Sequence, residues 1–277
     1  MGKYRMKQNL HTHTVFCDGR DTPREMAERA VSLGFDSLGF SGHANTVIRD
    51  DCEMLEKTSD YKKEINRLKK EFEGKIRIFL GTELDFYSEG VLDEGPYDYR
   101  IMSVHYVKIG EEFIPYDLSA DCTRDAINRF YGGDGLKYAR DYYRLVAEMP
   151  SRIDAEIVGH FDLVTKFCDI APDLFDTGSQ RYRSYALEAL HAVREKKEIF
   201  EINTGAIGRG YRKMPYPEPF ILREMKRLDC KIVVSSDCHN RNFLDCGYDL
   251  SLQLLRDAGF SEIYLFDGAD FLPEPVI

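Results

Sequence analysis

No apolar run in this chain approaches the ~20 residues that a bilayer-spanning helix needs, so no transmembrane helix and no membrane partner are expected. Nor does an apolar stretch follow the basic residues 1–8. Asn9, His11 and His13 stand where a secretory leader would need one, and a cytoplasmic location is expected. Cysteine is sparse: seven in 277 residues, an odd number with no CxxC pair, which argues against a disulfide framework and an all-cysteine zinc site. Cys52, Cys122, Cys168, Cys230 and Cys246 are expected as reduced packing residues. Cys17 and Cys238 sit inside the motifs below and receive the same reading. Positive charge is also in short supply. Thirty-eight Lys and Arg face 48 Asp and Glu, for a net charge of -10. Nucleic-acid binding draws most of its affinity from phosphate neutralisation, so no nucleic-acid partner is expected. An acidic protein that handles phosphate must build its positive site locally, and bound divalent cations are one way.

Internal repeats, low-complexity tracts and Pro/Ser-rich linkers are missing too, and residues 1–277 read as a single domain. What is present is alternation. Short β-rich runs at 6–10, 37–40, 76–80, 99–104, 156–158, 199–202 and 232–234 are separated by amphipathic segments, and 263–266 is a candidate eighth run. Tyr182, Ala186, Ala189, Leu190 and Val193 fall on one helical face; Ala139, Tyr142, Tyr143 and Val146 fall on another. Thr22, Pro23 and Gly34 carry the start and stop signals of a helix. Seven or eight β/α units favour a closed α/β barrel over an open sheet. The long stretch 108–135 is expected as a loop that contributes to substrate choice.

The informative feature is where the histidines fall. Six of the seven follow directly on a predicted strand: His11 and His13, then His43, His105, His160 and His239. Asp18, Glu83 and Asp237 accompany them. In a barrel the C-terminal strand ends share one mouth, so these nine groups would converge there. In extended chain, alternate side chains share a face, which pairs His11 with His13 and Asp237 with His239. Any one such His is more commonly a hydrogen-bonding residue; six together on different strands are hard to explain that way. Imidazole and carboxylate suit Zn, Fe or Mn, and nine ligands suit two or three divalent ions. Glu83 is the expected bridge, and Glu83, Asp237 and His239 are the expected catalytic residues. Such ions activate water and neutralise charge on a phosphoryl oxygen. That chemistry points to a metal-dependent phosphoester hydrolase. A metal-binding regulator without turnover fits the ligand-rich pattern less well. His191, mid-helix, matches no motif and reads as structural.

In order and spacing, His11-x-His13, Asp18-Gly19, Gly42-His43, Gly81-x-Glu83, His105, Gly159-His160 and Asp237-x-His239 resemble the polymerase and histidinol-phosphatase (PHP) family. The resemblance runs from residue 8 to about residue 240. Within the family, 103–107 (SVHYV), 158–167 (VGHFDLVTKF), 201–204 (EINT) and 235–239 (SSDCH) look most like the bacterial histidinol-phosphate phosphatases. The resemblance implies a distorted TIM-like (β/α)7 barrel with a trinuclear metal site at the C-terminal mouth of the strands. It implies His11, His13, Glu83 and Asp237 on the first ion, Glu83, His105 and His160 on the second, and Asp18, His43 and His239 on the third. The activity implied is removal of phosphate from L-histidinol phosphate in histidine biosynthesis; the alternative is another small phosphomonoester or a nucleotide. Two departures stand out. Gly19 occupies a place where many of these phosphatases carry His, and Thr165 precedes Lys166 where many carry Arg. After the sixth strand, 208–213 (GRGYRK) offers Arg209 and Arg212 as phosphate-binding cations, with Lys166 as a third.

Overall fold

The computed structural model describes residues 6–48, 58–91 and 95–276; Cys52 lies outside them. Along the chain, β1 (Gln8–Asn9) leads through α1 (Pro23–Ser32) to β2 (Ser37–Phe40), and α2 (Thr58–Glu71) leads to β3 (Arg77–Asp85) and β4 (Tyr99–Ser103). A hairpin of β5 (Tyr106–Ile109) and β6 (Glu112–Pro115) follows, then α3 (Ala120–Tyr131) and α4 (Gly135–Glu148). The remainder runs β7 (Ile157–Val158), α5 (Gln180–Arg194), β8 (Ile199–Asn203), α6 (Gly205–Gly208), α7 (Pro219–Arg227), β9 (Lys231–Ser235) and α8 (Tyr248–Asp257). It ends in β10 (Glu262–Phe266) and β11 (Phe271–Pro275).

Seven strands pair in the order β1-β2-β3-β4-β7-β8-β9, each parallel to its neighbour. The long β3 shows the stagger that bends a sheet into a barrel. Its first half, from Arg77 to Leu80, pairs with β2, and its second half, from Gly81 to Asp85, pairs with β4. Among the described residues, backbone pairing between the first and last strand segments comes at the C-terminal rim. There Thr12 bridges Cys238, with His13 N donating to Cys238 O at 2.9 Å and Cys238 N to His11 O at 3.2 Å. The barrel is a (β/α)7-type, TIM-like fold.

The helices form where the signals lie. Thr22 caps α1 in a reciprocal capping box with Glu25, Pro23 starts it, and Gly34 follows its end at φ 71°. All five apolar residues of the predicted α5 face are buried, and so are all four of the α4 face. These two helices pack on each other, and Tyr143 and Tyr182 share a hydroxyl–hydroxyl hydrogen bond of 2.8 Å. Burying the hydroxyls as a pair removes the cost of leaving either unbonded.

Three expectations change. The strands at 6–10 and 156–158 are two-residue strands, while the third runs on to Asp85 rather than stopping at residue 80. The eighth run forms a strand, β10, but pairs antiparallel with β11 outside the barrel. Its Phe266 packs on Phe79 and Tyr99, and Gln8 bonds the Phe266 backbone through both side-chain atoms, so this hairpin plugs the mouth opposite the histidines. The stretch 108–135 is no plain loop: it holds β6, the helix α3 capped by Ser119, and the start of α4. Among the described residues no helix is long and apolar enough to cross a membrane.

Candidate metal centre

Strand ends deliver the nine residues to one place. Between His11 and His13, Thr12 turns the other way and donates its hydroxyl to Gly39 O at 2.8 Å, so both imidazoles face inward. His43 and Glu83 meet across a parallel bridge between the segment after β2 and the middle of β3. Asp237 follows β9 at φ 46°, a left-handed backbone that costs of order 1 kcal/mol for a non-glycine residue and marks a constrained site.

Glu83 is the hub. Its Oε2 lies 3.3 Å from His11 Nε2, 3.5 Å from His13 Nε2 and 3.0 Å from His43 Nδ1. Its Oε1 lies 3.3 Å from His105 Nε2 and 3.0 Å from His160 Nε2, and accepts from Ser103 Oγ at 2.6 Å. A second focus is Asp18, at 2.8 Å from His239 Nε2, 3.4 Å from His13 Nδ1 and 3.7 Å from His43 Nε2. Asp237 Oδ1 lies between His13, His239 and His11 at 3.3, 3.6 and 3.7 Å. Four overlapping groups of these residues have ligand atoms close enough to hold an ion: His13/Asp18/His43/His239, His11/His13/Glu83, His11/His160/Asp237 and His43/Glu83/His105.

The donor set fits cations. His11 Nε2, His13 Nε2, Asp18 Oδ1 and Glu83 Oε2 are buried without a hydrogen-bond partner, at a cost of about 1–3 kcal/mol each unless something binds them. Burial opposes charge on His11, yet Glu201, Glu83 and Asp237 outweigh it and lift its pKa to about 10. Burial likewise opposes the Glu83 and Asp237 carboxylates. The imidazoles around Glu83, and Arg209 with His11 around Asp237, hold both well below the usual range. His239 is pushed down to about 4 by burial and by His13.

Three carboxylates at the site escape a reading of strand ends. Glu201 accepts from His11 Nδ1 at 3.0 Å and from His160 N at 2.6 Å, and Asp85 lies 3.2 Å from His105 Nδ1. Each fixes an imidazole with Nε2 pointing inward. Asp85 is two residues beyond Glu83 on β3, so strand alternation could have found it. Glu201 lies within the 201–204 stretch but pairs across 190 residues, which spacing cannot show. The third, Asp117, lines the mouth. Of the two motif cysteines, Cys17 Sγ is 3.6 Å from His13 Nδ1, and Cys238 is buried, donating to Asn240 O. His191 is exposed and bonds Glu224.

The basic residues separate. Arg209 lines the mouth, with Nη2 donating to Asp237 Oδ2 at 3.0 Å and Nη1 2.9 Å from His239 Nδ1. Gly205 makes that approach feasible, because a Cβ there would stand 2.7 Å from Arg209 Nη2 and 2.8 Å from Asp237 Oδ2. Lys166 also lines the mouth; its ammonium donates to Asp117 O at 2.8 Å and Oδ2 at 3.1 Å. Arg212 does not reach it. After Gly210, at φ 76°, the chain turns Arg212 inward, where it donates to Glu218 at 2.6 Å and to the Thr165 hydroxyl, with its side chain 2% exposed. A position facing substrate phosphate is therefore corrected to a buried strut.

Similarities to other proteins agree with this geometry. Residues 9–205 match the PHP domain family model. Histidinol-phosphatase of Bacillus subtilis is 28% identical over 267 residues, covering 89% of this chain and 98% of that one. A protein named "Probable histidinol-phosphatase" in Deinococcus radiodurans is 30% identical over 262 residues, covering 90% and 92%. The crystal structure of histidinol phosphate phosphatase from Lactococcus lactis, complexed with zinc, L-histidinol and phosphate, superimposes with a TM-score of 0.77. It covers 96% of this chain and 98% of its own at 24% identity. With the family model spanning most of the barrel and all but two of the nine clustered residues inside its bounds, the chain belongs to the PHP domain family.

Proposed function

We propose that this chain is a metal-dependent phosphomonoesterase that hydrolyses L-histidinol phosphate to L-histidinol and phosphate. The observation that carries the reading is the division of labour at Glu83, one oxygen facing His11 and His13 and the other facing His105 and His160. A carboxylate so placed suits a bridge between two divalent ions. His11, His13 and Asp237 complete the first set, His105 and His160 the second, and Asp18, His43 and His239 form a third. These sets would hold two or three ions, and the mixed imidazole–carboxylate donors suit Zn, Fe or Mn. When bound, they supply a water of lowered pKa and neutralise charge on the phosphoryl oxygens.

The rest falls to the protein's own side chains. Glu201 and Asp85 hold His11 and His105 in the tautomer that presents Nε2. Asp237 anchors Arg209 at the mouth, where its 26%-exposed side chain is the cation offered to the substrate phosphate. Lys166 adds a second cation to the same wall. Histidinol phosphate as substrate is supported by the relatives' names and their near-full coverage of this chain. Steady-state kinetics on a panel of phosphomonoesters and nucleotides, with each metal added singly, tests it. Histidinol phosphate should lead the panel in kcat/KM by about tenfold or more, ~1.4 kcal/mol. A nucleotide at the head of the panel would replace the substrate assignment.

A further inference from the structure

Four carboxylates line the mouth: Asp18, Glu83, Asp237 and Asp117. The first three belong to the ligand sets, and Asp117 is left over. It lies on the turn between β6 and α3, on a cavity of about 180 Å³ that it shares with Arg209 and the metal-facing histidines. The turn is firmly built. Tyr116 N donates to His105 O at 2.7 Å, the Tyr116 ring is fully buried, and Ser119 caps α3 just beyond. Lys166 is 6% exposed and holds the Asp117 backbone oxygen and Oδ2, while the Asp117 side chain keeps 23% exposure toward the cavity.

A phosphomonoester whose phosphate sits at the ions and Arg209 has two directions for its organic half. One leads into an adjoining cavity of about 340 Å³, whose charged lining residues are Arg20, Arg209 and Asp237. The other leads toward Asp117, with the 63%-exposed Leu118 beside it. Both paths carry two cations, Arg20 and Arg209 on the first, Lys166 and Arg209 on the second. Along the first a primary ammonium meets one carboxylate, Asp237, which belongs to the ligand sets and is already bonded to Arg209. Along the second it finds an ionised carboxylate with accepting capacity left after one bond to Lys166, since a carboxylate accepts about four. Leu118 offers apolar surface to the carbon chain.

We infer that Asp117 recognises the ammonium group of the substrate and selects cationic aminoalkyl phosphates over neutral ones. This rests on the phosphatase reading above, and the test separates the two. Wild type, Asp117→Asn and Asp117→Glu are compared on histidinol phosphate, on its deaminated analogue imidazolylpropyl phosphate, and on phenyl phosphate, with metal content measured in each. Asp117→Asn should lose about tenfold or more in kcat/KM on histidinol phosphate, mainly through KM, while the deaminated analogue changes by less than about threefold. Asp117→Glu, which keeps the charge and the partner for Lys166, should fall between. An equal loss on both substrates would overturn the proposal and leave Asp117 as a brace for Lys166. A wild type that does not prefer histidinol phosphate to phenyl phosphate overturns the substrate reading itself, and the inference with it, before any variant is compared.

Discussion

Arg209 owes its position to two neighbours: Asp237, which bonds it, and Gly205, which leaves room for it. A charge-assisted contact to phosphate is worth about 1.5–3 kcal/mol, so Arg209→Ala should lower kcat/KM on histidinol phosphate roughly ten- to a hundredfold with metal content intact. A rise in KM alone would mean the contact serves ground and transition states equally; a fall in kcat would mean it tightens on the developing charge. A change within about twofold, ~0.4 kcal/mol, would remove Arg209 from the phosphate site. At this scale the sequence was most legible where residue type and strand position coincide, as with the six histidines. It was least legible where function depends on a partner far along the chain, as with Glu201 and Asp117. Gly19 is instructive in another way. The family resemblance sets it apart as a departure from His, and the structure supplies a local reason. A Cβ at that position would press on the His13–Thr14 backbone, 2.5 Å from His13 C.

Between the strand ends, the elements that carry the cations are tied together. Arg212, from the segment after β8, bonds Glu218 within its own loop and Thr165 on the loop after β7. Asp162 is buried close by and accepts from Glu218 N at 2.8 Å; burial, opposed by Arg212, pushes its pKa up to about 7. The network thus links the loop bearing Lys166 to the loop bearing Arg209. Breaking a buried ion pair from one side costs about 3–5 kcal/mol, so Arg212→Met should lower Tm by roughly 10 °C. Thermal unfolding of the variant measures this; an unchanged Tm with a large rise in KM would instead return Arg212 to the phosphate. Other elements were only partly legible. The hairpin and α3 within 108–135 have short-range signals, Gly110 at φ 61° and the Ser119 cap, but their length suggested a loop. The β-rich composition of 263–266 predicts a strand without saying what it pairs with. Pairing is set by the neighbouring β11 and by Gln8, 258 residues away.

For the molecule as a whole, the barrel and its chemistry share a seam. The first and last strands meet through Thr12 and Cys238, each flanked by clustered residues: His11 and His13 on one side, Asp237 and His239 on the other. Holding the clustered residues in register therefore also closes the ring. A net charge of -10 makes the demand for cations at the mouth stronger, since the protein's own field disfavours a phosphate dianion. The alternation of strands and helices made this architecture legible, whereas closure at the rim depends on contacts that no local pattern announces. The most direct test of the account strips the purified protein of metal with a strong chelator and verifies the result by elemental analysis. Mn, Zn or Fe is then titrated back while histidinol phosphate hydrolysis is followed. The account predicts an inactive stripped protein whose activity returns as two or three ions bind per chain. Full activity in protein shown to be metal-free would contradict it.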